Sequence, residues 1–111
     1  VLDDNIEICN LIKHISRINE KECFAFTDPD SFIDYITKNG FIIDTLLVDY
    51  HLGVAKNGID VLDEIKNATH AKSILMTGDI RVIETMFSYC MVLEKPFTIA
   101  QMEAIINETQ H

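Results

Sequence analysis

Four short apolar runs in this 111-residue chain each lead into polar side chains of the kinds that phosphoryl chemistry uses. They are residues 1–2 before Asp3 and Asp4, residues 46–48 before Asp49, residues 74–76 before Thr77, and residues 91–94 before Lys95 and Pro96. In open parallel sheets, ligands bind at the carboxyl ends of the strands. If the four runs are strands of such a sheet, three carboxylates, a hydroxyl and an ammonium group share one pocket.

Amphipathic stretches separate the apolar runs. Residues 5–20 carry Ile8, Leu11, Ile12, Ile15 and Ile18 at the spacing of a helix with one buried face. The second helix is predicted to carry Phe32, Ile33 and Ile36 inward. The later helices are predicted to place their apolar residues on one side: Ile59, Leu62 and Ile65 in the third, Ile80, Ile83 and Phe87 in the fourth, and Met102, Ile105 and Ile106 in the fifth.

Local signals mark several helix ends. Asp28 before Pro29 predicts an N-cap with proline at the first helical position, and Asn39-Gly40 predicts the end of that helix. Thr98 and Gln101 have the spacing of a capping box. The side chains of residues 23–27 alternate between the two sides of an extended segment, which predicts a further strand.

The chain therefore alternates strand and helix five times, which predicts an α/β fold with a parallel sheet and helices on both faces. We predict a single domain over residues 1–111. The first strand has only two residues before the acidic pair, against a typical length of about five, so we expect the chain to be a fragment of a longer protein with that strand trimmed.

The composition of the chain limits the classes of partner that it could bind. The formal net charge of −9 argues against direct binding to nucleic acid and suits a metal cation or a basic partner. The longest apolar stretches are much shorter than the roughly 20 residues of a membrane span, and we expect a cytoplasmic protein without membrane contact. Cys9, Cys23 and Cys90 lie far apart, which predicts reduced thiols.

Taken singly, each polar motif is also typical of a helix cap or a turn. Together and in this order, Asp3-Asp4, Asp49, Thr77-Gly78 and Lys95-Pro96 resemble the phosphoacceptor receiver domains of bacterial two-component response regulators. The resemblance covers nearly the whole chain. It implies a flavodoxin-like (βα)5 three-layer sandwich whose five parallel strands have the order 2-1-3-4-5.

The resemblance also implies a role for each residue of the pocket. Asp49 receives a phosphoryl group, and Asp3, Asp4, Asp49 and the backbone carbonyl of His51 hold Mg²⁺. Lys95 contacts the phosphoacceptor carboxylate and later a phosphoryl oxygen, while Thr77 hydrogen-bonds the phosphoryl group. The backbone N–H groups of Tyr50 and Gly78 help to hold its oxygens. His51 and Asp79 occupy positions that tune hydrolysis of the aspartyl phosphate in this family.

The sequence departs from the family at one position important for signalling. Receiver domains usually carry Tyr or Phe three residues before the lysine, and here that residue is Val92. The stretch from Thr77 to Lys95 is also shorter than usual by about one helical turn. We expect the fourth helix and its surroundings to look abnormal, and Phe87 or Tyr89 are speculative substitutes for the aromatic.

Three functions remain open on the sequence alone. The leading one is a receiver, which is not an enzyme in the ordinary sense. It takes phosphate from a sensor histidine kinase or histidine phosphotransfer protein and controls an output domain or effector. A homodimer is a further option. The second is a protein-interaction module that depends little on phosphorylation. The third is a Mg²⁺-dependent phosphatase. His51 argues against this function, because it occupies the position at which that class has a second aspartate.

Overall fold

We describe a computed structural model of the chain over residues 1–108; the last three residues of the predicted domain lie outside this range. No helix in this range is long and apolar enough to cross a membrane. The elements are α1 (Ile6–Ile18), α2 (Pro29–Asn39), a short 3-10 turn (Gly40–Ile42), β1 (Thr45–Asp49), α3 (Gly58–Ile65), β2 (Lys72–Thr77), α4 (Ile80–Met86), β3 (Met91–Glu94) and α5 (Ile99–Glu108).

The described residues contain three strands, which form a parallel sheet of order β1-β2-β3. Beyond β1, Leu2 makes isolated parallel bridges to Val48 on one side and to Phe26 on the other. Adding these bridges places the Phe26 segment at the edge and the Leu2 segment between it and β1. The flavodoxin-like order 2-1-3-4-5 is therefore confirmed, although the first two predicted strands are single bridges rather than ladders.

Backbone hydrogen bonds hold the Leu2 bridge on both sides. The Leu2 N–H donates to the carbonyl of Leu47 and its carbonyl accepts from Asp49, both at 2.8 Å. On the other side, the Phe26 N–H donates to Val1 at 2.9 Å and the Asp3 N–H donates to Phe26 at 3.1 Å. This pairing fixes the start of the chain in the middle of the sheet.

In the described part of the chain the core forms two clusters, one on each face of the sheet. Successive residues of β1 alternate between them, because side chains of a strand point to opposite faces. The first cluster contains Leu47, Ile74, Met76 and Leu93 from the sheet with Ile12, Ile15, Met102, Ile105 and Ile106 from α1 and α5. The second contains Leu2, Leu46, Val48 and Leu52 with Phe32, Ile36, Val61 and Ile65 from α2 and α3.

Most predicted helix ends are confirmed. The Asp28 side chain accepts from the Ser31 N–H and Pro29 opens α2, which ends at Asn39. Thr98 and Gln101 exchange both hydrogen bonds of a capping box, at 3.0 and 2.7 Å. The three apolar residues predicted on one side of α5 are buried.

The predicted buried face of α1 is partly wrong. Ile12 and Ile15 are buried, but Ile18 is 63% exposed and Leu11 is also exposed. Cys9 and Ser16 complete the buried stripe instead. The stripe is narrower than the apolar pattern because α1 packs on the sheet beside α5, which covers the same face.

The fourth helix is abnormal, as expected. α4 has only seven residues, all of them within the described range, and none is buried. Ile80 is exposed and Phe87, just beyond the helix, is 69% exposed, so the apolar residues predicted for the fourth helix do not form a buried face. A helix this short has room for less than two turns of packing against the sheet.

Gly58 brings the start of α3 against the end of β1. A Cβ atom added at Gly58 would lie 2.5 Å from the backbone oxygen of Asp49 and 3.0 Å from the Cα of Tyr50. Backbone atoms cannot yield as the end of a long side chain can. Glycine is therefore required here by close approach, and the contact fixes the backbone that carries Asp49.

We expect Gly58→Ala to destabilise the fold by about 2 kcal/mol or more, because overpacking against a backbone forces helix and strand apart. Chemical denaturation monitored by circular dichroism measures the loss. Gly78→Ala is the matched control, since its Cβ would lie 3.4 Å from its nearest neighbour, the Lys95 oxygen. Equal losses for the two variants would contradict this explanation.

Candidate functional site

The strand ends bring the predicted site residues together. Asp3 follows the Leu2 bridge, Asp49 ends β1, Thr77 ends β2, and Lys95 follows β3. Asp49 is the register partner of Met76, and Thr77 is the partner of Glu94, so the polar residues follow one another across one edge of the sheet. Asp3, Asp49 and Thr77 are all buried, in contrast to most polar side chains.

Three carboxylates form a cluster at this edge. Among the described residues, Asp3, Asp4 and Asp49 offer oxygen atoms that all lie within 4.8 Å of one another. Asp3 and Asp49 are buried, whereas Asp4 is exposed and forms the open side of the cluster. An all-oxygen donor set with one exposed side fits a hard divalent cation such as Mg²⁺, which keeps several of its waters.

Lys95 is the counter-charge of the cluster. Its Nζ lies 2.6 Å from Asp3 Oδ2 and 3.1 Å from Asp49 Oδ1. Its backbone N–H donates to the Thr77 carbonyl at 2.8 Å, which ties the residue to the end of β2. The following peptide bond to Pro96 is cis. The sequence had pointed to the contact with Asp49, whereas the shorter contact with Asp3 became visible only in the structure.

The surroundings of the cluster shift the pKa values of its charged groups. Burial, and then the negative charge of Asp3, raise the pKa of Asp49 despite the opposing effect of Lys95. Burial disfavours the charged form of Lys95, but its hydrogen bond to Asp3 and the attraction of Asp49 outweigh burial and raise the Lys95 pKa. Without a cation, the ionised form of Asp49 is therefore less favourable than in a solvated aspartate.

Thr77 connects the site to the start of α4. Its Oγ1 accepts a hydrogen bond from the backbone N–H of Asp79 at 3.0 Å. Asp79 in turn caps α4, because its side chain accepts from the Arg81 N–H at 2.9 Å. The hydroxyl proton of Thr77 is not used by this bond, since a hydroxyl both donates and accepts.

The two backbone N–H groups predicted to hold phosphoryl oxygens differ in their surroundings. The Tyr50 N–H donates to the carbonyl of Met76 at 2.9 Å, which continues the β1–β2 pairing by one residue. A role for this group toward a ligand would require that bond to be exchanged. Gly78 is exposed at the end of β2, beside the backbone of Lys95.

His51 lies at the rim rather than inside the pocket. Its exposed ring is 3.7 Å from Asp79, measured from Nε2 to Oδ2. Asp79 also receives two hydrogen bonds from the guanidinium of Arg81, at 3.2 and 3.0 Å, and these lower the pKa of Asp79. Sequence reasoning missed Arg81, whose only signal was its position two residues after Asp79.

Val92 occupies the position where the resemblance implies an aromatic. It is half-buried in β3 and its register partner is Leu75. Phe87 and Tyr89 are both exposed, so neither ring fills the space beside Thr77 from the interior.

Comparisons with known proteins agree with this geometry. No model of a known protein family matches the sequence, and no curated protein matches it. Among solved structures, a response regulator receiver domain protein from Clostridium thermocellum is 27% identical over 97% of this chain and 89% of its own length, with a TM-score of 0.83. The receiver domain of NtrX from Brucella abortus is 25% identical over 97% of this chain and 93% of its own, with a TM-score of 0.82.

A more distant structure has the same fold. The response regulator receiver domain from Methylobacillus flagellatus is 16% identical over 98% of this chain and 94% of its own, with a TM-score of 0.82. The resemblance to response regulator receiver domains is therefore confirmed at the level of the whole fold. These neighbours support a signalling domain of a two-component phosphorelay.

We expect Lys95→Met to destabilise the metal-free protein by about 3 kcal/mol, because it keeps the aliphatic stem but leaves two buried carboxylates without their counter-charge. Urea unfolding measures the loss. Lys38→Met is the control, since the Lys38–Asp34 pair lies on the surface and contributes about 0.5 kcal/mol or less. A loss for Lys95→Met no larger than for Lys38→Met would contradict the assignment.

We expect Asp49→Asn to raise the unfolding temperature of the metal-free protein at pH 7 by a few degrees. The pKa of Asp49 is raised on folding, so its ionisation destabilises the folded chain, and asparagine removes that cost. The gain should shrink as the pH falls and vanish below about pH 4, where the carboxyl is protonated in both states.

Calorimetry between pH 4 and 8 with a chelator measures this effect. Asp44→Asn, at an exposed position, is the matched control and should change the unfolding temperature little at any pH. A gain for Asp49→Asn that grows toward acid pH would show that the sign is wrong.

Proposed function

We propose that this chain, whose fold is that of a response regulator receiver domain, accepts a phosphoryl group on Asp49 from a phosphohistidine and thereby switches a partner. The observation that carries the proposal is the position of Asp49, which is buried at a strand end, within 4.8 Å of two further carboxylates and 3.1 Å from the Lys95 ammonium. A carboxylate with a cation site on one side and an ammonium group on the other is suited to attack phosphorus.

The cation is Mg²⁺ in this proposal, held by Asp3, Asp4 and Asp49 together with the His51 backbone carbonyl. When bound, Mg²⁺ neutralises negative charge on the phosphoryl oxygens and helps to set in-line geometry. The three carboxylates suit this ion because they offer oxygen ligands only. Their mutual repulsion, and the raised pKa of Asp49, are both relieved by a bound cation.

The residues around Asp49 divide the remaining work. An Asp49 oxygen forms the new P–O bond while the P–N bond of the donor histidine breaks. Lys95 is close enough to Asp49 to follow a phosphoryl oxygen, and Thr77 has a hydroxyl proton to donate to another. Gly78, exposed at the end of β2, leaves room for the group and offers its N–H. Tyr50 offers its N–H only by exchanging its bond to Met76.

The same site would support loss of the phosphoryl group by hydrolysis. His51 and Asp79 face each other 3.7 Å apart beside the site, and we infer that they influence the lifetime of the aspartyl phosphate. The chain is thus a signalling domain that assists its own phosphorylation and dephosphorylation. The proposed partners are a sensor histidine kinase or histidine phosphotransfer protein and an output domain or effector, in the bacterial cytoplasm, with a homodimer as a further form.

A receiver that depends little on phosphorylation is the second candidate. It is favoured by the half-buried Val92 in place of an aromatic and by a fourth helix without any buried residue in its described length. The complete set of acidic and basic residues in the pocket argues against it, because an unused site has no reason to bury two carboxylates at a cost in stability.

Incubation with a small-molecule phosphodonor and Mg²⁺ should add one phosphoryl group, measured by intact-protein mass spectrometry. Asp49→Asn should abolish the addition, since the amide is not a nucleophile, and Lys95→Met should slow it at least tenfold. Asp44→Asn, an exposed acidic residue at the other end of β1, should leave it unchanged. Unmodified wild-type protein, or equal modification of Asp49→Asn, would refute the proposal.

A further inference from the structure

Gly53 lies in the loop that follows β1, and its backbone adopts a conformation that other residues rarely take. Its φ is +68°, in the left-handed region that a Cβ atom makes unfavourable. A Cβ atom added at Gly53 would also lie 3.1 Å from Oδ2 of Asp4. The loop backbone therefore packs directly against the exposed carboxylate of the acidic cluster.

The loop is held on both sides of Gly53. Leu52, directly before it, is buried in the second core cluster. At the far end of the loop, the Gly58 N–H donates to the Tyr50 carbonyl at 2.9 Å, and the Asn57 side chain donates to the Tyr50 hydroxyl at 3.3 Å. Withdrawal of the loop from Asp4 would disturb these contacts, so the loop does not readily make room for a side chain at position 53.

The carboxylate of Asp4 is the group that yields more easily. Asp4 is exposed, in contrast to Asp3 and Asp49, so its side chain has space on the solvent side. A shift of a few tenths of an ångström relieves the contact with an added Cβ. Such a shift costs the fold little, but it changes how the three carboxylates are placed relative to one another.

The two common hard divalent cations respond differently to such a change. Mg²⁺ requires near-ideal octahedral geometry with oxygens at about 2.0–2.1 Å, whereas Ca²⁺ accepts more oxygens at about 2.3–2.6 Å in a flexible arrangement. A displaced carboxylate is therefore a larger loss for Mg²⁺ than for Ca²⁺.

We propose that Gly53 is a positioning residue for the cation site: it leaves the space beside Asp4 open, which keeps this carboxylate in place and favours Mg²⁺ over Ca²⁺. The inference rests on the proposed function, which assigns Mg²⁺ to the cluster of Asp3, Asp4 and Asp49. Gly53 acts only through Asp4, whose Oδ2 is the atom that an added side chain would meet.

Titration of the whole chain with Mg²⁺ and, separately, with Ca²⁺ tests the inference, with binding followed by amide NMR. Gly53→Ala should raise the Kd for Mg²⁺ about tenfold and the Kd for Ca²⁺ by less than about threefold. The ratio of the two Kd values is the decisive readout, because a general loss of stability weakens the binding of both cations alike.

Two further variants separate the contact with Asp4 from backbone strain. Gly53→Asn carries the same Cβ atom, but asparagine accepts a positive φ more readily than alanine does. It should shift the ratio in the same direction, and it decides the question alone if Gly53→Ala does not fold. A wild-type ratio for Gly53→Asn would show that the contact is not the cause. In a chain with Asp4→Ala, Gly53→Ala should change the Kd for Mg²⁺ by less than about twofold, because the carboxylate that it displaces is gone.

Val54→Ala is the matched control. It shortens an exposed side chain at the next position of the same loop and should leave both Kd values unchanged. A similar shift of the ratio in Val54→Ala would show that any change in the loop has this effect, and the specific role of Gly53 would be wrong.

Asp49→Asn distinguishes failure of this inference from failure of the proposed function. If the wild-type chain does not bind Mg²⁺, or if Asp49→Asn binds it as tightly, the cation site of the proposed function is wrong and the inference falls with it. If the wild-type chain binds Mg²⁺ through Asp49 but both Gly53 variants keep the wild-type ratio, the positioning role of Gly53 is wrong and the proposed function stands.

Discussion

Asp3 and Asp49 are two buried carboxylates that share one ammonium group, that of Lys95, at distances of 2.6 and 3.1 Å. Two like charges in a low-dielectric site repel each other. A single lysine does not cancel this repulsion and the effect of burial, so the pKa of Asp49 stays raised. The arrangement is stable only because three strand ends and the Leu2 bridge hold these residues in place. The packing of the fold therefore keeps Asp3 and Asp49 side by side despite their repulsion.

The need to hold Asp3 and Asp49 side by side explains structural features outside the carboxylate cluster. The Leu2 bridge has hydrogen bonds on both sides, which keeps Asp3 beside Asp49 although the segment is too short to form a ladder. Gly58 lets α3 pack directly on the carbonyl of Asp49. The well-packed side of the molecule therefore carries Asp49, the proposed phosphoacceptor, whereas none of the described residues of α4 is buried.

Sequence patterns predicted most elements because local rules decide them. The cap at Asp28 with Pro29, the capping box at Thr98, and the continuous apolar run of β1 each depend on a few neighbouring residues. The predictions of burial are wrong where packing between elements decides which side chains are covered. Ile18 and Phe87 fit the periodicity of buried residues, yet both are exposed, because α1 shares its face of the sheet with α5 and α4 is too short to reach the core.

The sequence by itself determined the order of strands and helices and the residues at the strand ends, because periodicity and the chemical types of the side chains are written in it. Only the tertiary structure decided how those residues pair: that Lys95 lies closer to Asp3 than to Asp49, that the Tyr50 N–H is engaged with Met76, and that the Thr77 hydroxyl holds Asp79. Such pairings join residues on different elements, and they depend on register and packing between strands, to which no local pattern corresponds.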